Sequence, residues 1–281
     1  MPLVVTSASG VNGNGYGALL AFEVDGSPLG VYSDDARISD PRGLAFDDLE
    51  GLLFVNSGAE RVLALDMRGR VVRDTGPIAG LNPGGGNFAP DGRLLVGMRT
   101  ARSIMAFATS LDQAGQSILP HGVVPFPRGF AFDTKGRLFL ASGIGPDGEG
   151  DDTVCAFDHA MKPISSWQVD DPELSPLDLA IAPNGNVVVS SERPFGAPGT
   201  TTSVREYEAH TGRLIRVFSP DGKAQFRKPR GLRFGPEGRL YCAAQDEVVG
   251  FDFETGACLG ATVTLPRLNG QALIFVPKWK L

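Results

Sequence analysis

One pattern recurs along the whole chain and limits what it can fold into. Each copy reads Pro-x-Gly, then alternating apolar and small residues, a tight turn ending in Gly, and a β-branched or aromatic run. Three clear copies begin at Pro41, Pro127 and Pro229, and two weaker copies begin at Pro83 and Pro176. A half-copy covers residues 268–273. Runs of this kind on either side of a short turn predict a β-hairpin in every copy.

The spacing of the copies predicts the architecture. The third residue of each copy serves as an anchor, at positions 43, 85, 129, 178, 231 and 270. Further strand-like runs and polar turns follow each hairpin, as in residues 203–207 and 214–218. A period of about 40–50 residues with four short strands per unit is typical of a β-propeller. We therefore predict one all-β domain over residues 1–281, a six-bladed β-propeller with four antiparallel strands per blade.

The sixth unit is divided between the two ends of the chain. Its first strand is expected at 271–275, and its other strands at 3–5, 18–22 and 29–32. Pairing of N- and C-terminal strands in one blade would close the ring and remove an open sheet edge.

Composition excludes several classes of function. A net charge of −6 without a basic stripe argues against nucleic-acid binding. The sequence has no run of 18 apolar residues and shows no secretory signal, so we expect a cytoplasmic, monomeric protein without a membrane partner. Cys155, Cys242 and Cys258 lie in strand-like runs and are expected to be buried, reduced thiols.

No cofactor is predicted from the motifs. Residues 13–18, Gly-Asn-Gly-Tyr-Gly-Ala, mimic a dinucleotide-binding loop, but that motif requires a helix next. Here a strand-like run follows, ended by the turn Asp25-Gly26-Ser27-Pro28.

The Pro-Arg-Gly-apolar-Ala-Phe unit resembles the NHL repeat. More broadly, the chain resembles six-bladed propellers of the NHL and senescence-marker-protein/gluconolactonase kind, over essentially its whole length. The resemblance implies the fold and leaves three functions open, because such propellers include lactonases, lyases and protein-interaction rings.

The resemblance also implies where a metal would bind. Gluconolactonase-like hydrolases resemble one another in a divalent metal held by Glu, Asn and Asp at the starts of the innermost strands. In this chain those positions hold Arg42, Gly84, Arg128, Leu177, Arg230 and Asn269. Only Asn269 matches, and a guanidinium cannot bind a metal. Amidating lyases of similar fold use His ligands in the same area, and none of the six positions is His. We therefore predict no metal.

The same positions suggest an anion site at the top of the channel. Arg42, Arg128 and Arg230 fall in blades one, three and five, and planar guanidinium groups suit a carboxylate or phosphate. The alternative is that these arginines only tie adjacent blades together. Four further residues are predicted to bind the ligand: Asn56, Arg99, Ser142 and Gln245, and Asn269 is kept with them as a ligand-binding candidate.

Three residues are candidates for catalysis. Asp178 replaces the repeat Gly in blade four, Glu192 follows on a top loop, and His121 lies in the crossing before blade three. The alternatives are that Asp178 only pairs with an arginine and that His121 is a surface or packing residue. An acidic loop with Asp147, Glu149, Asp151 and Asp152 is expected to be solvated, with a Ca²⁺ site as the alternative. No Ser-His-Asp or Cys-His grouping can be assembled.

Two functions therefore remain open. One is binding of a small anionic molecule, with hydrolysis of a lactone or ester, or elimination, as the turnover that the resemblance implies. The other is a non-catalytic NHL-type ring that binds a protein partner.

Overall fold

The computed structural model is a six-bladed β-propeller. It describes residues 1–10, 17–144, 148, 150–193 and 201–277, and all structural statements concern these residues. Six antiparallel sheets lie around a central channel, each with its first strand innermost. Every inner strand contacts the inner strands of the blades on either side, so the ring is complete. This confirms the predicted fold class.

Twenty-three strands form the blades. Blade one contains β4 Gly43–Asp47, β5 Leu52–Ser57, β6 Arg61–Leu65 and β7 Val71–Asp74. Blade two contains β8 Pro83–Phe88, β9 Leu94–Met98, β10 Ser103–Phe107 and β11 Gln116–Ser117. Blade three contains β12 Pro127–Phe132, β13 Leu138–Ile144 and β14 Gly150–Phe157. Blade four contains β15 Pro176–Ile181, β16 Val187–Arg193, β17 Thr201–Tyr207 and β18 Leu214–Phe218. Blade five contains β19 Leu232–Phe234, β20 Leu240–Ala243, β21 Glu247–Phe251 and β22 Cys258–Thr264. Blade six contains β23 Leu273–Phe275 with β1 Leu3–Ser7, β2 Ala18–Phe22 and β3 Pro28–Ser33.

The apolar core lies between the blades. Middle strands such as β5 are buried along their whole length, whereas the outer strand β18 alternates between half-buried and exposed residues up to its buried last residue. One cluster joins Phe54 of blade one to Leu94 and Val96 of blade two, and Phe54 meets Phe88 edge to face at 5.6 Å between ring centroids. Burial of both faces of each sheet explains why the middle strands read as continuous apolar runs.

The chain ends close the ring in blade six, as predicted. Strand β23 pairs with β1 in antiparallel register, with Leu273 opposite Val5. The hydroxyl of Thr6, which is 0% exposed, accepts hydrogen bonds from the backbone N–H groups of Gln271 and Ala272, each at 2.9 Å. The two ends of the chain are thus joined by a strand pair and by a buried side chain.

Blade three differs from the predicted four strands. Beyond β14, the described chain adds only an isolated bridge between Phe157 and Pro163 and a hydrogen bond from Ile164 N–H to Ala156. Proline has no N–H to donate, which limits further pairing. The chain then turns inward, and Trp167 packs against Phe139 at 5.1 Å between ring centroids.

The anchor of blade six also differs from its predicted position. In blade five, the carbonyl of Gly231 on the inner strand accepts a hydrogen bond from the N–H of Ala243 on the second strand. In blade six, the carbonyl of Ala272 accepts the corresponding hydrogen bond from the N–H of Thr6. The equivalent of Gly231 is therefore Ala272, two residues beyond position 270. The preceding segment makes extra turns, with left-handed backbone at Arg267 (φ 65°) and Asn269 (φ 46°).

Two further expectations can be compared with the structure. The three cysteines are reduced, with Cys242 and Cys258 buried and Cys155 partly buried. Within the described residues, no helix is long and apolar enough to span a membrane.

Candidate functional site

Glycine at the anchor positions lets the inner strands converge. A Cβ atom on Gly85 would lie 2.8 Å from the Cα of Gly129, and one on Gly129 would lie 1.7 Å from Oδ1 of Asp178. These positions have no room for a side chain, because the neighbouring blade already fills the space. The residues flanking the anchors therefore supply the side chains at the channel mouth.

The mouth is a cavity of about 250 Å³ with an unusual concentration of charge. Among the described residues, its charged lining consists of five arginines and two aspartates: Arg42, Arg99, Arg128, Arg230, Arg233, Asp40 and Asp178. The structure thus brings together Arg42, Arg128 and Arg230, which the sequence placed in alternate blades, and adds Arg99 from the predicted ligand-binding set. The part of the lining that the structure describes carries three more positive than negative charges, in a protein whose net charge is −6.

Arg42 is held from two sides. Its Nε donates to Oδ2 of Asp40 at 2.7 Å, and its Nη1 donates to Oδ1 of Asn82 at 2.7 Å. Asp40 and Asn82 each precede the first proline of a repeat, and both have left-handed backbone, with φ of 40° and 34°. Asp and Asn tolerate this conformation better than other residues with a side chain. In these two copies, the residue before the repeat proline therefore presents a polar side chain to the guanidinium of Arg42.

Asn82 also orients Arg99. Its Oδ1 accepts a hydrogen bond from Nη2 of Arg99 at 3.0 Å, so one amide oxygen serves two guanidinium groups. Arg99 further lies 5.6 Å from the centroid of the Phe126 ring. Among the described residues, Arg99 is held by an amide and an aromatic ring rather than by a carboxylate.

Arg128 reaches the same aromatic ring from blade three. Its guanidinium lies 5.4 Å from the Phe126 centroid, and its Nη2 donates to the carbonyl of Ile144 at 3.2 Å. Gly143 provides the space, since a Cβ there would lie 2.1 Å from Nε of Arg128. Burial, with repulsion from Arg230, lowers the pKa of Arg128 to about 10, against the opposing effects of Asp152 and Glu192. An anion beside Arg128 would raise that pKa again.

Two ion pairs join blades four and five. Nη1 of Arg230 donates to Oε2 of Glu192 at 2.8 Å, and the Glu192 side chain is 3% exposed. Lower in the channel, Oδ2 of Asp178 accepts hydrogen bonds from Nη1 of Arg233 at 3.0 Å and from the N–H of Leu232 at 2.9 Å. Burial raises the pKa of Asp178, against the opposing effects of Arg233 and the backbone N–H groups. In each of these two pairs, one carboxylate balances one guanidinium charge.

The other predicted ligand-binding residues mostly support the backbone. Asn56 is 1% exposed and donates to the carbonyl of Gly84 at 3.1 Å, which ties blade one to blade two. Ser142 is fully buried, and its hydroxyl interacts with Phe126 N–H and with Asp151. Neither residue lines the cavity.

Three more candidates also lie outside the cavity lining. Asn269 and Gln245 contact each other through the backbone, because the N–H of Asn269 donates to the carbonyl of Gln245 at 2.5 Å. With the blade six anchor at Ala272, Gln271 takes the place that was assigned to Asn269, and Gln271 does line the cavity. His121 is exposed on the crossing before blade three, away from the cavity lining.

The acidic loop is only partly described. Asp147 and Glu149 lie outside the described residues. Oδ1 of Asp151 accepts the Ser142 hydroxyl at 3.2 Å, and Oδ1 of Asp152 accepts the Ser175 hydroxyl at 3.0 Å. Within the described part of the chain, no three His, Cys, Asp or Glu side chains are grouped so that they could hold a metal.

Sequence reasoning missed four residues of the site: Asp40, Asn82, Arg233 and Gln271. Two features of the sequence could have indicated three of these residues. Arg233 interrupts an apolar-Ala-Phe pattern, where Ala45 and Ala131 occupy the same place in other copies. Asp40 and Asn82 directly precede a repeat proline. Gln271 was missed because the blade six anchor was placed two residues too early.

Comparison with known proteins identifies similar folds but no sequence relative. No protein-family model and no curated protein sequence matches the chain. A chain of a nidogen/laminin complex aligns with TM-score 0.74 and 11% identity, covering 97% of each chain. A gluconolactonase from Xanthomonas campestris aligns with TM-score 0.61 and 16% identity, covering 93% of this chain and 85% of the other. A streptogramin B lyase aligns with TM-score 0.58 and 14% identity, covering 79% of this chain and 69% of the other.

At these identities the likeness concerns the fold and not the activity. The chain is a six-bladed β-propeller with the architecture shared by nidogen-type, gluconolactonase-like and streptogramin B lyase propellers.

Proposed function

We propose that the protein binds a small organic anion at the mouth of its channel. The observation that carries the proposal is the presence, among the residues that the structure describes, of five arginines and two aspartates around one cavity of about 250 Å³. Glu192 balances one further charge through Arg230. Guanidinium groups fixed in place lose little freedom on binding, and they pair with carboxylate or phosphate through parallel hydrogen bonds.

Repulsion within the mouth supports the same proposal. Burial lowers the pKa of Arg128 most, and the charge of Arg230 lowers it further, which means that the two positive charges oppose each other. A bound anion relieves this repulsion and favours the folded state. Ligand present at a hundredfold excess over its Kd stabilises a protein by about 2.7 kcal/mol.

Thermal unfolding with different anions tests the proposal. Citrate or phosphate should raise the Tm more than chloride at matched ionic strength, and Arg99→Ala should remove the additional rise. Arg70→Ala is the matched control, because Arg70 is exposed and pairs with Asp66 in an outer turn. Equal Tm changes with every salt in all three proteins would reject anion binding.

Hydrolysis or elimination of the bound anion is the turnover that the gluconolactonase and lyase neighbours favour. Asp178 is the carboxylate on the cavity wall suited to take or give a proton, since its pKa is raised by burial. We expect Asp178→Asn to retain anion binding and to abolish turnover. Loss of binding with unchanged turnover per bound ligand would argue against this role.

A protein-interaction ring is the second candidate function. The observation that favours it is the outer edge of β14, where residues 150–155 have no paired strand in the described part of the chain. An open edge can take an extended peptide as an additional strand. Binding of a partner that survives Arg99→Ala but is lost when Val154 is replaced by Pro would support this function.

A further inference from the structure

A second cavity, which we call the lower cavity, lies deeper in the channel than the mouth and has a volume of about 360 Å³. The anchors Gly43, Gly85 and Gly129 line the mouth, whereas residues one to three places further along the inner strands line the lower cavity. The part of its lining that the structure describes is apolar except for Asn87 and Arg233. The two cavities therefore offer a ligand different chemistry.

Two levels of the repeat shape the lower cavity. Two residues beyond the anchor, blades one, three and four have alanine, at Ala45, Ala131 and Ala180. Blade six has Ile274 at the same place. One residue further along the strands, the side chains that line the cavity are large and apolar: Phe46, Phe88, Phe132, Ile181 and Phe234. The small residues thus leave the space, and the large apolar residues surround it.

The large side chains are held by their neighbours but are incompletely covered. Phe88 packs edge to face on Phe54 with 5.6 Å between ring centroids, and Phe234 packs in the same way on Phe253 at 5.1 Å. Each of the five large side chains is only partly buried and lies against an apolar cluster between two blades. Because these side chains are already fixed in place, an apolar ligand can cover their remaining surface without ordering them first.

Arg233 provides hydrogen-bond donors in the wall of the lower cavity. Its Nη1 donates to Oδ2 of Asp178 at 3.0 Å and to the carbonyl of Leu232 at 2.7 Å. Within the described part of the chain, its Nε and Nη2 make no hydrogen bond. Asn87, by contrast, uses both ends of its amide on backbone groups. The donors that are left to a ligand are therefore those of Arg233, whose charge is already balanced by Asp178.

We propose that the lower cavity binds a neutral aromatic molecule of two fused rings that carries a hydrogen-bond acceptor. A cavity of about 150 Å³ takes one benzene molecule, so the lower cavity has room for two fused rings with a small substituent. Phenylalanine rings pair favourably with other aromatic rings. A ketone oxygen can accept from Arg233, whereas a carboxylate there would be repelled by Asp178. This site goes beyond the anion site at the mouth and does not depend on it.

A solvent-sensitive fluorophore tests the proposal. Prodan is a neutral naphthalene ketone whose emission shifts to shorter wavelength in apolar surroundings. We expect saturable binding of one Prodan per protein with such a shift, and no displacement by citrate. Absence of saturable binding would reject the site, and displacement by citrate would place Prodan in the mouth and also reject it. Self-association without Prodan binding would show that a second copy of the chain covers the cavity, which rejects the proposal as well.

Three naphthalenes separate the features of the ligand. 2-Acetylnaphthalene is neutral and has an acceptor, 2-ethylnaphthalene lacks the acceptor, and 2-naphthoate is negatively charged. In displacement of Prodan, 2-acetylnaphthalene should be about fivefold more effective than either of the others, which is the effect of one hydrogen bond. Equal displacement by 2-ethylnaphthalene would overturn the acceptor, and stronger displacement by 2-naphthoate would overturn the neutral ligand.

Variants locate the ligand in the lower cavity. Ala131→Ile and Ala45→Ile give blades three and one the residue that Ile274 provides in blade six, so the fold should tolerate either change. Each should weaken Prodan binding at least tenfold, because the longer side chain narrows the cavity. Ala108→Ile, in the exposed segment after β10, is the matched control and should bind Prodan like wild type. Undiminished binding in either variant, shown to be folded by circular dichroism, would reject the site.

A double variant tests the hydrogen bond from Arg233. Asp178→Asn combined with Arg233→Met removes both charges of the pair, so neither is left unbalanced. In this variant 2-ethylnaphthalene should still displace Prodan, whereas the preference for 2-acetylnaphthalene should be lost. A preference that persists in the folded double variant would reject Arg233 as the donor to the ligand.

Discussion

Asp178 of blade four and Arg233 of blade five join two neighbouring inner strands, with 3.0 Å between Oδ2 and Nη1. Arg233 lines the polar cavity at the mouth and also a second, largely apolar cavity below it, where Phe46, Phe88 and Phe132 face the channel. The ion pair therefore lies between the two cavities, and it connects the anion site to the packing of the inner strands.

The titration of Asp178 gives a prediction with a defined sign. Burial raises its pKa in the folded protein above the ordinary value of 3.8. Between those two values the folded state binds more protons than the unfolded state, so the contribution of Asp178 to the free energy of unfolding falls as pH rises. In urea titrations, the free energy of unfolding of wild type relative to that of Asp178→Asn should therefore be highest near pH 4. This advantage of wild type should decrease towards pH 7.

Asp35 provides a control of opposite sign. Its hydrogen bonds with Arg37 lower its pKa, against the effect of burial. The stability that it contributes is present above the unfolded pKa and is lost as pH falls. The advantage of wild type over Asp35→Asn should thus increase with pH. If the advantage of wild type over Asp178→Asn also increased with pH, the raised pKa of Asp178 would be contradicted.

The Glu192–Arg230 pair predicts a non-additive pair of mutations. Removing Arg230 would leave the carboxylate of Glu192 buried at 3% exposure, and breaking a buried pair costs about 3–5 kcal/mol. Arg230→Ala should accordingly destabilise the protein by about 3 kcal/mol in urea unfolding. The double variant with Glu192→Ala should recover part of this loss. Additive losses in the double variant would show that the pair is not coupled.

Gly143→Ala tests the position of Arg128 without changing its charge. The new methyl group would lie 2.1 Å from Nε of Arg128, so the flexible side chain must move away. We expect nearly wild-type stability and at least tenfold weaker anion binding by titration calorimetry. Gly250→Ala in blade five is the control, since its methyl group would lie 3.3 Å from the Thr262 hydroxyl and otherwise make ordinary van der Waals contacts with Tyr241 and Leu259. Unchanged binding in Gly143→Ala would remove Arg128 from the site.

Thr6→Val tests ring closure. Valine has the shape of threonine but cannot accept the N–H groups of Gln271 and Ala272, which the Thr6 hydroxyl binds at 2.9 Å. A buried polar group left without its partner costs about 1–3 kcal/mol, so the free energy of unfolding should fall by about 2 kcal/mol. Thr6→Ser keeps the oxygen and should retain most of the stability. Equal stability of Thr6→Val and wild type would contradict this closure.

The ring of blades could be predicted from the sequence because the same local sequence pattern recurs from blade to blade. Proline begins the inner strand, glycine lets neighbouring strands approach, and a glycine turn leads to the second strand. It did not predict the short edge of blade three, since that depends on Trp167 turning inward to pack on Phe139. It misplaced the blade six anchor because left-handed residues at Arg267 and Asn269 shift the register, and no repeat residue marks such a shift.

The charged site was predicted in part for a similar reason. Arg42, Arg128 and Arg230 stand at a fixed place in the repeat, so their convergence follows from the period. The partners of these arginines come from other places in the repeat: Asn82 from a preceding turn and Glu192 from the end of a second strand. Which side chains meet there depends on the angle between blades, which the repeat pattern alone does not specify.

The Asp178–Arg233 pair places one charged side chain at the boundary of two unlike cavities, since Arg233 lines both the polar mouth and the largely apolar cavity below it. A substitution that shortens Arg233 therefore changes the walls of both cavities at once. Anion binding at the mouth and the packing of the inner strands should then change together.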